Sequence, residues 1–160
     1  MKPPQHTLLA ISWMAALGVA LGSPSPAHAA ADGAALFTQN CALCHQSGAT
    51  GIAGQFPRLA GRVGPISRTA RGRAYLIDVL TYGMAGQVVV DGQSIIGVMP
   101  ALALDDESVA AVLVYLQSLG KPAPRPFTAG EVAAQRALLH KTSSDVHAER
   151  LSLEKAKLVE

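Results

Sequence analysis

The stretch Cys41-Ala42-Leu43-Cys44-His45 contains both cysteines of the 160-residue chain and sets a histidine directly after the second. Two thiols at i and i+3 can form a disulfide, a dithiol redox pair, half of a zinc site, or the attachment point of a covalent haem. A thioredoxin-like pair requires the motif after a strand in a βαβ pattern, whereas here it closes a run with helical character. A zinc site needs four ligands, and after these three only distant tail histidines remain to supply the last. Haem attachment uses every residue: the cysteines leave one face toward two vinyl groups, and His45 is carried under the ring to bind iron.

The N-terminus strengthens that reading. Residues 1–29 open with Lys2, continue through the apolar run from Leu8 to Leu21, and end on Ala27-His28-Ala29. This is the pattern of an export signal, with cleavage expected after Ala29. The run is broken by Ser12 and Gly18 and falls short of the roughly 20 apolar residues that span a bilayer. No later segment reads as a membrane span, so the mature chain is expected in the periplasm, where c-type haem is attached.

Charge narrows the partners. Thirteen Lys and Arg face eleven Asp and Glu, a formal net charge of +2, too little surplus for a phosphate backbone. The arginines are unevenly placed: Arg58, Arg62, Arg68, Arg71 and Arg73 occur without an intervening acid. Such a run either docks an acidic redox partner or is a solvated face, and for Arg58 and Arg62 a role beside haem propionates is a third reading.

Helices surround a loop-rich middle. Asp32 is placed to cap a helix running to about Cys44, and Leu76, Val79 and Leu80 mark another from about Arg71 to Tyr82. Asp91-Gly92, flanked by β-branched runs from Gln87 to Ile96, predicts a hairpin. Asp105 begins a last core helix with an apolar face of Val109, Val112, Leu113, Leu116 and Leu119. The chain therefore divides into the signal at 1–29, a haem domain at 30–120, a stiff Pro-rich linker at 121–127 and a helical C-terminal extension at 128–160. In the extension, Thr128 and Glu131 have capping-box spacing, with Phe127 and Val132 as a staple and a helix to about Leu139. His140 and His147 are expected in an exposed tail, binding nothing.

For the sixth iron ligand, cleavage of the signal leaves Met84 and Met99. Met99 is favoured because Gly97-Val98-Met99-Pro100 reads as a fixed extended loop before a capped helix, while Met84 reads as core filler.

"GAALFTQNCALCHQ…FPRLAG…YLIDVLTYGMAGQVVVDGQSIIGVMPALALDDESVAAVLVYLQSL" resembles monohaem class I cytochromes c, in particular bacterial modules found alone or as subunits of periplasmic dehydrogenases. The resemblance covers about Asp32 to Leu119. It implies an all-α fold of three to four core helices around one haem c held by Cys41 and Cys44, with a short hairpin before the distal loop. His45 is then the proximal ligand and Met99 the distal one, Pro57 offers its carbonyl to the His45 ring, and the first helix crosses the last near Gly33, Phe37 and Tyr115. The implied function is electron transfer between a dehydrogenase donor and a cytochrome or terminal-oxidase acceptor, with no catalytic acid, base or nucleophile. The alternative is a haem enzyme or a gas- or peroxide-reactive protein whose sixth ligand is labile.

Overall fold

A computed structural model describes residues 1, 31–120, 125–138 and 140–159. The expected export signal, apart from Met1, and residues 121–124 of the expected linker lie outside the described residues. The described residues form seven helices and one two-stranded antiparallel sheet joined by loops.

Helix α1 (Gly33–Asn40) starts where Asp32 accepts hydrogen bonds from the Ala34 and Ala35 amides at 3.0 and 3.1 Å. The sequence predicts one helix to Cys44, but the chain turns at Cys41 and resumes as α2 (Ala42–His45). Thr38 and Asn40 explain the early end, because their side chains bond back to the carbonyls of Ala34 and Leu36 in competition with the helix ladder. After α3 (Val63–Ile66), Thr69 caps α4 (Ala70–Tyr82).

Strands β1 (Met84–Val90) and β2 (Gln93–Met99) meet at Asp91 and Gly92, which both have positive φ, as a tight two-residue hairpin requires. The ladder runs three residues beyond the predicted hairpin on either side and pairs Met84 with Met99. Met99 is thus the last residue of a strand rather than part of a loop, and Pro100, lacking an amide hydrogen, follows where the ladder stops.

Helix α5 (Asp106–Ser118) begins at Asp105, whose carboxylate accepts from the Ser108 amide at 2.8 Å. It crosses α1 at close range: a Cβ on Gly33 would lie 2.1 Å from the Ala111 carbonyl oxygen. The Phe37 and Tyr115 rings meet beside that crossing, 5.4 Å between centroids.

The extension folds back. Helix α6 (Ala129–Arg136) is capped by Thr128, but the return half of the predicted capping box is missing because Glu131 is drawn to Arg73 and Arg125. Helix α7 (Ser143–Lys155) carries a complete box between Thr142 and Asp145. It packs on α4 and β1, so the tail is not free: His147 donates from Nε2 to the Gln87 carbonyl at 2.7 Å. His140 is exposed and sets its ring edge-on to Tyr82. Phe127, Val132, Val146, Leu153 and Val159 share one core with Phe37, Ile77 and Leu113.

Candidate functional site

The turn at Cys41 sends α2 toward the hairpin, and its last residue, His45, is buried beside the loop of residues 46–57. That loop is tied on both sides. The Gly51 amide donates to the His45 carbonyl at 2.9 Å, and Ile52 pairs with Phe56 as an isolated bridge. The loop delivers the Pro57 carbonyl to 2.9 Å from His45 Nδ1, which therefore carries the ring proton and leaves the Nε2 lone pair for a metal. Burial pushes the His45 pKa down, the Pro57 hydrogen bond opposing it, so the ring is neutral near pH 7.

Opposite His45 stands the inner face of the hairpin. One cleft is lined by Cys44, His45 and Pro57 from below and by Met84, Val88, Ile95 and Met99 from the strands. It encloses about 610 Å³, counting the part open to solvent. Gly97 also lines it, and a Cβ built there meets nothing within 4 Å, so the wall is left flat where a side chain would intrude. Cys41 is buried and Cys44 half-buried, and the two thiols are not joined. Burial, reinforced by Cys44, pushes the Cys41 thiol pKa up, so it stays protonated near pH 7.

This donor set suits a planar apolar iron cofactor. A neutral imidazole with one nitrogen fixed and two soft thioethers open onto the same apolar cleft as a cysteine of the attachment motif. Among the described residues no three His, Cys, Asp or Glu side chains converge, as a zinc site would require.

Cys44, His45, Pro57 and Met99, which the sequence singles out, are brought together, with Cys41 one turn away on the same motif. Met84, set aside as core filler, stands in the same cleft directly across from Met99. The signal for it was in the sequence: a two-residue turn at Asp91-Gly92 makes positions 84 and 99 symmetric about it. The arginine run does not form one exposed set. Arg58 and Arg62 reach Asp91 at 2.7 and 3.6 Å, Arg71 meets Ser152, and Arg73 is turned inward to Glu131.

A small helical fold that presents a Cys-x-x-Cys-His motif beneath an apolar, thioether-bearing cleft defines a covalent haem protein. Residues 30–120 match the family model described as "Cytochrome c". A cytochrome c-552 of Thermus thermophilus is 46% identical over 131 residues, which cover 78% of this chain and 87% of that protein. Another cytochrome c-552 of the same species is 46% identical over 129 residues, 77% of this chain and 97% of its own length. The chain belongs to the cytochrome c family, with the class I fold, and it carries haem c and transfers electrons. No helix among the described residues is long and apolar enough to cross a membrane.

Proposed function

We propose that this cytochrome is an exported periplasmic carrier that accepts electrons from a dehydrogenase and passes them to the respiratory chain. Cys41 and Cys44 hold its single haem, His45 is the proximal ligand and Met99 the distal one. The observation that carries the ligand assignment is the 2.9 Å contact from His45 Nδ1 to the Pro57 carbonyl, which orients the ring and directs Nε2 into the cleft shared with Met99. The haem, when bound, supplies a one-electron couple between ferric and ferrous iron.

The remaining work belongs to the chain. The Pro57 carbonyl fixes the tautomer and raises the basicity of His45. Val88 and Ile95 line the apolar wall that would keep water from a bound haem, and the Met99 thioether would offer a soft ligand, which favours a higher potential. Nothing in the cleft is asked to move a proton or attack a bond. Val98 lines the cleft and is exposed, and Leu43 beside Cys44 and Ile96 on the same strand are exposed too, apolar surface suited to brief contact with a redox partner.

The test is the oxidised holoprotein purified from periplasm. Haem that stays with the polypeptide on a denaturing gel and a far-red thioether-to-iron charge-transfer band, lost in Met99→Ala, are expected. Haem removed by acid acetone would refute attachment; a band unaffected by Met99→Ala would refute the distal ligand. Co-purification of a dehydrogenase checks the donor, and a protein recovered only with oxidases would move it from dedicated subunit to shuttle.

A further inference from the structure

We propose that the C-terminal extension selects the distal ligand: Arg150 fixes the Tyr75 hydroxyl, and Tyr75 holds the Met84 thioether back, so that Met99 alone is left to face the iron. The inference rests on the His45 and Met99 reading above.

The strands themselves do not choose between the two methionines. Met84 and Met99 are direct partners in the ladder, and side chains so paired start from Cβ atoms about 4.5–5.5 Å apart on the same face. Both line the cleft that His45 faces. A methionine side chain turns about three bonds, so either one reaches a metal held against that face.

The choice comes from behind the hairpin. Tyr75, on α4 and only 3% exposed, brings its hydroxyl to 3.5 Å from Met84 Sδ. A phenol has one proton to give and accepts through its oxygen, whereas a guanidinium only donates. The Arg150 guanidinium interacts with the Tyr75 hydroxyl and can only donate to its oxygen, which leaves the phenolic proton for the sulfur. Arg150 is itself held: it is buried on α7, its Nε donates to Glu154 at 2.6 Å, and an Nη reaches the Val89 carbonyl at 3.4 Å. Burial raises the Tyr75 pKa, with Arg150 opposing, so the proton is kept at neutral pH. The path Glu154–Arg150–Tyr75–Met84 thus runs from the extension to the cleft. It ties the Met84 sulfur to α4 and engages the electron density a metal would need. Tyr75 and Arg150 are positioning residues and touch no reacting atom.

The experiment reads the far-red thioether-to-iron band in ferric, full-length holoprotein, with covalent haem content measured to confirm folding. Met99→Ala should lose the band. Tyr75→Phe combined with Met99→Ala should regain about half or more of the wild-type amplitude, because Met84 is released, and adding Met84→Ala should remove it again. Arg150→Gln with Met99→Ala should regain part of it, and this pair carries the test if the Tyr75 variant does not assemble. A band as strong in Met99→Ala as in wild type, or none in either double variant, overturns the proposal. Recovery with Tyr75→Phe but not with Arg150→Gln overturns the extension's part in it. A band kept in Met99→Ala and lost in Met84→Ala would show instead that the distal ligand itself was misassigned, and a wild type without the band would remove both readings.

Discussion

Glu131→Gln tests whether the extension is anchored by a buried charge. Arg73 on α4 is 3% exposed, and its guanidinium meets the Glu131 carboxylate at 2.5 and 2.6 Å. It also donates to the carbonyls of Arg125 and Pro126 at 3.1 Å and lies 3.8 Å over the Phe127 ring. Removing one charge from a buried pair costs about 3–5 kcal/mol, because the other is left uncompensated. Two features lower that figure here. The Glu131 side chain is 21% exposed and shared with Arg125, and glutamine keeps one acceptor oxygen for Arg73. A loss of about 2–3 kcal/mol follows, or about 10 °C in Tm at the entropy typical of a chain this size.

The assay is thermal unfolding of oxidised holoprotein by far-ultraviolet circular dichroism. Its pH dependence is a second check. Hydrogen bonds from Arg73 hold the Glu131 carboxyl below its ordinary value of 4.5, burial opposing them. A carboxylate depressed in the folded state stabilises fully above its unfolded pKa, and that contribution fades as pH falls through the folded one. The gap between wild type and Glu131→Gln should therefore be full at pH 7 and close progressively below about pH 4.5. Equal Tm values at pH 7, or a gap unchanged down to pH 3, would refute the argument.

Three further outcomes are expected. Gly33→Ala drives a methyl group into the Ala111 backbone, so α1 must move off α5; an overpacked contact of this kind costs about 1–3 kcal/mol, read as a lower urea midpoint. Cys44→Ala removes one thioether and should sharply reduce the holoprotein recovered from periplasm, seen as lost haem stain on a denaturing gel. Ending the chain after Ala137 uncovers the outer edge of β1, where α7 now packs, and should give concentration-dependent self-association on size exclusion as well as a lower Tm.

The elements legible in the sequence were those fixed by local chemistry. Asp32, Asp105 and Thr128 cap where their spacing says they should, and Asp91-Gly92 turns the hairpin. The all-α class I architecture and the haem motif were readable for the same reason, since each depends on residues close in sequence. What stayed hidden depends on distant partners. Helix α7 reads as strongly charged, its place in the fold left open, because only Val146, Arg150 and Leu153 are buried on it, a narrow stripe with an arginine at its centre. No periodicity argument assigns a buried guanidinium to a core face; its partners, Tyr75 and Glu154, have to be seen first. The same holds for Arg73, read as one of five surface charges until Glu131 and Phe127 enclose it. Glu131 likewise satisfies the spacing of a capping box and is taken by a stronger, charged donor.

The extension matters to the haem domain because of where the hairpin stands. A two-stranded sheet is marginal alone, and this one carries both methionines of the cleft. At its turn it is held by Arg58 and Arg62 on Asp91, and along its outer edge by His147 and Arg150 donating to the Gln87 and Val89 carbonyls. Those carbonyls are two residues apart on β1, on one edge of the strand, and their donors three apart on α7, on one face of the helix. Below the cleft, His45 is held by local hydrogen bonds, to Cys41, from Gly51 and to Pro57, all within twelve residues in sequence. The two sides of the cleft therefore rest on different supports, a local loop under the imidazole and the distant extension behind the thioethers. A disturbance of α7 must reach the thioether side first.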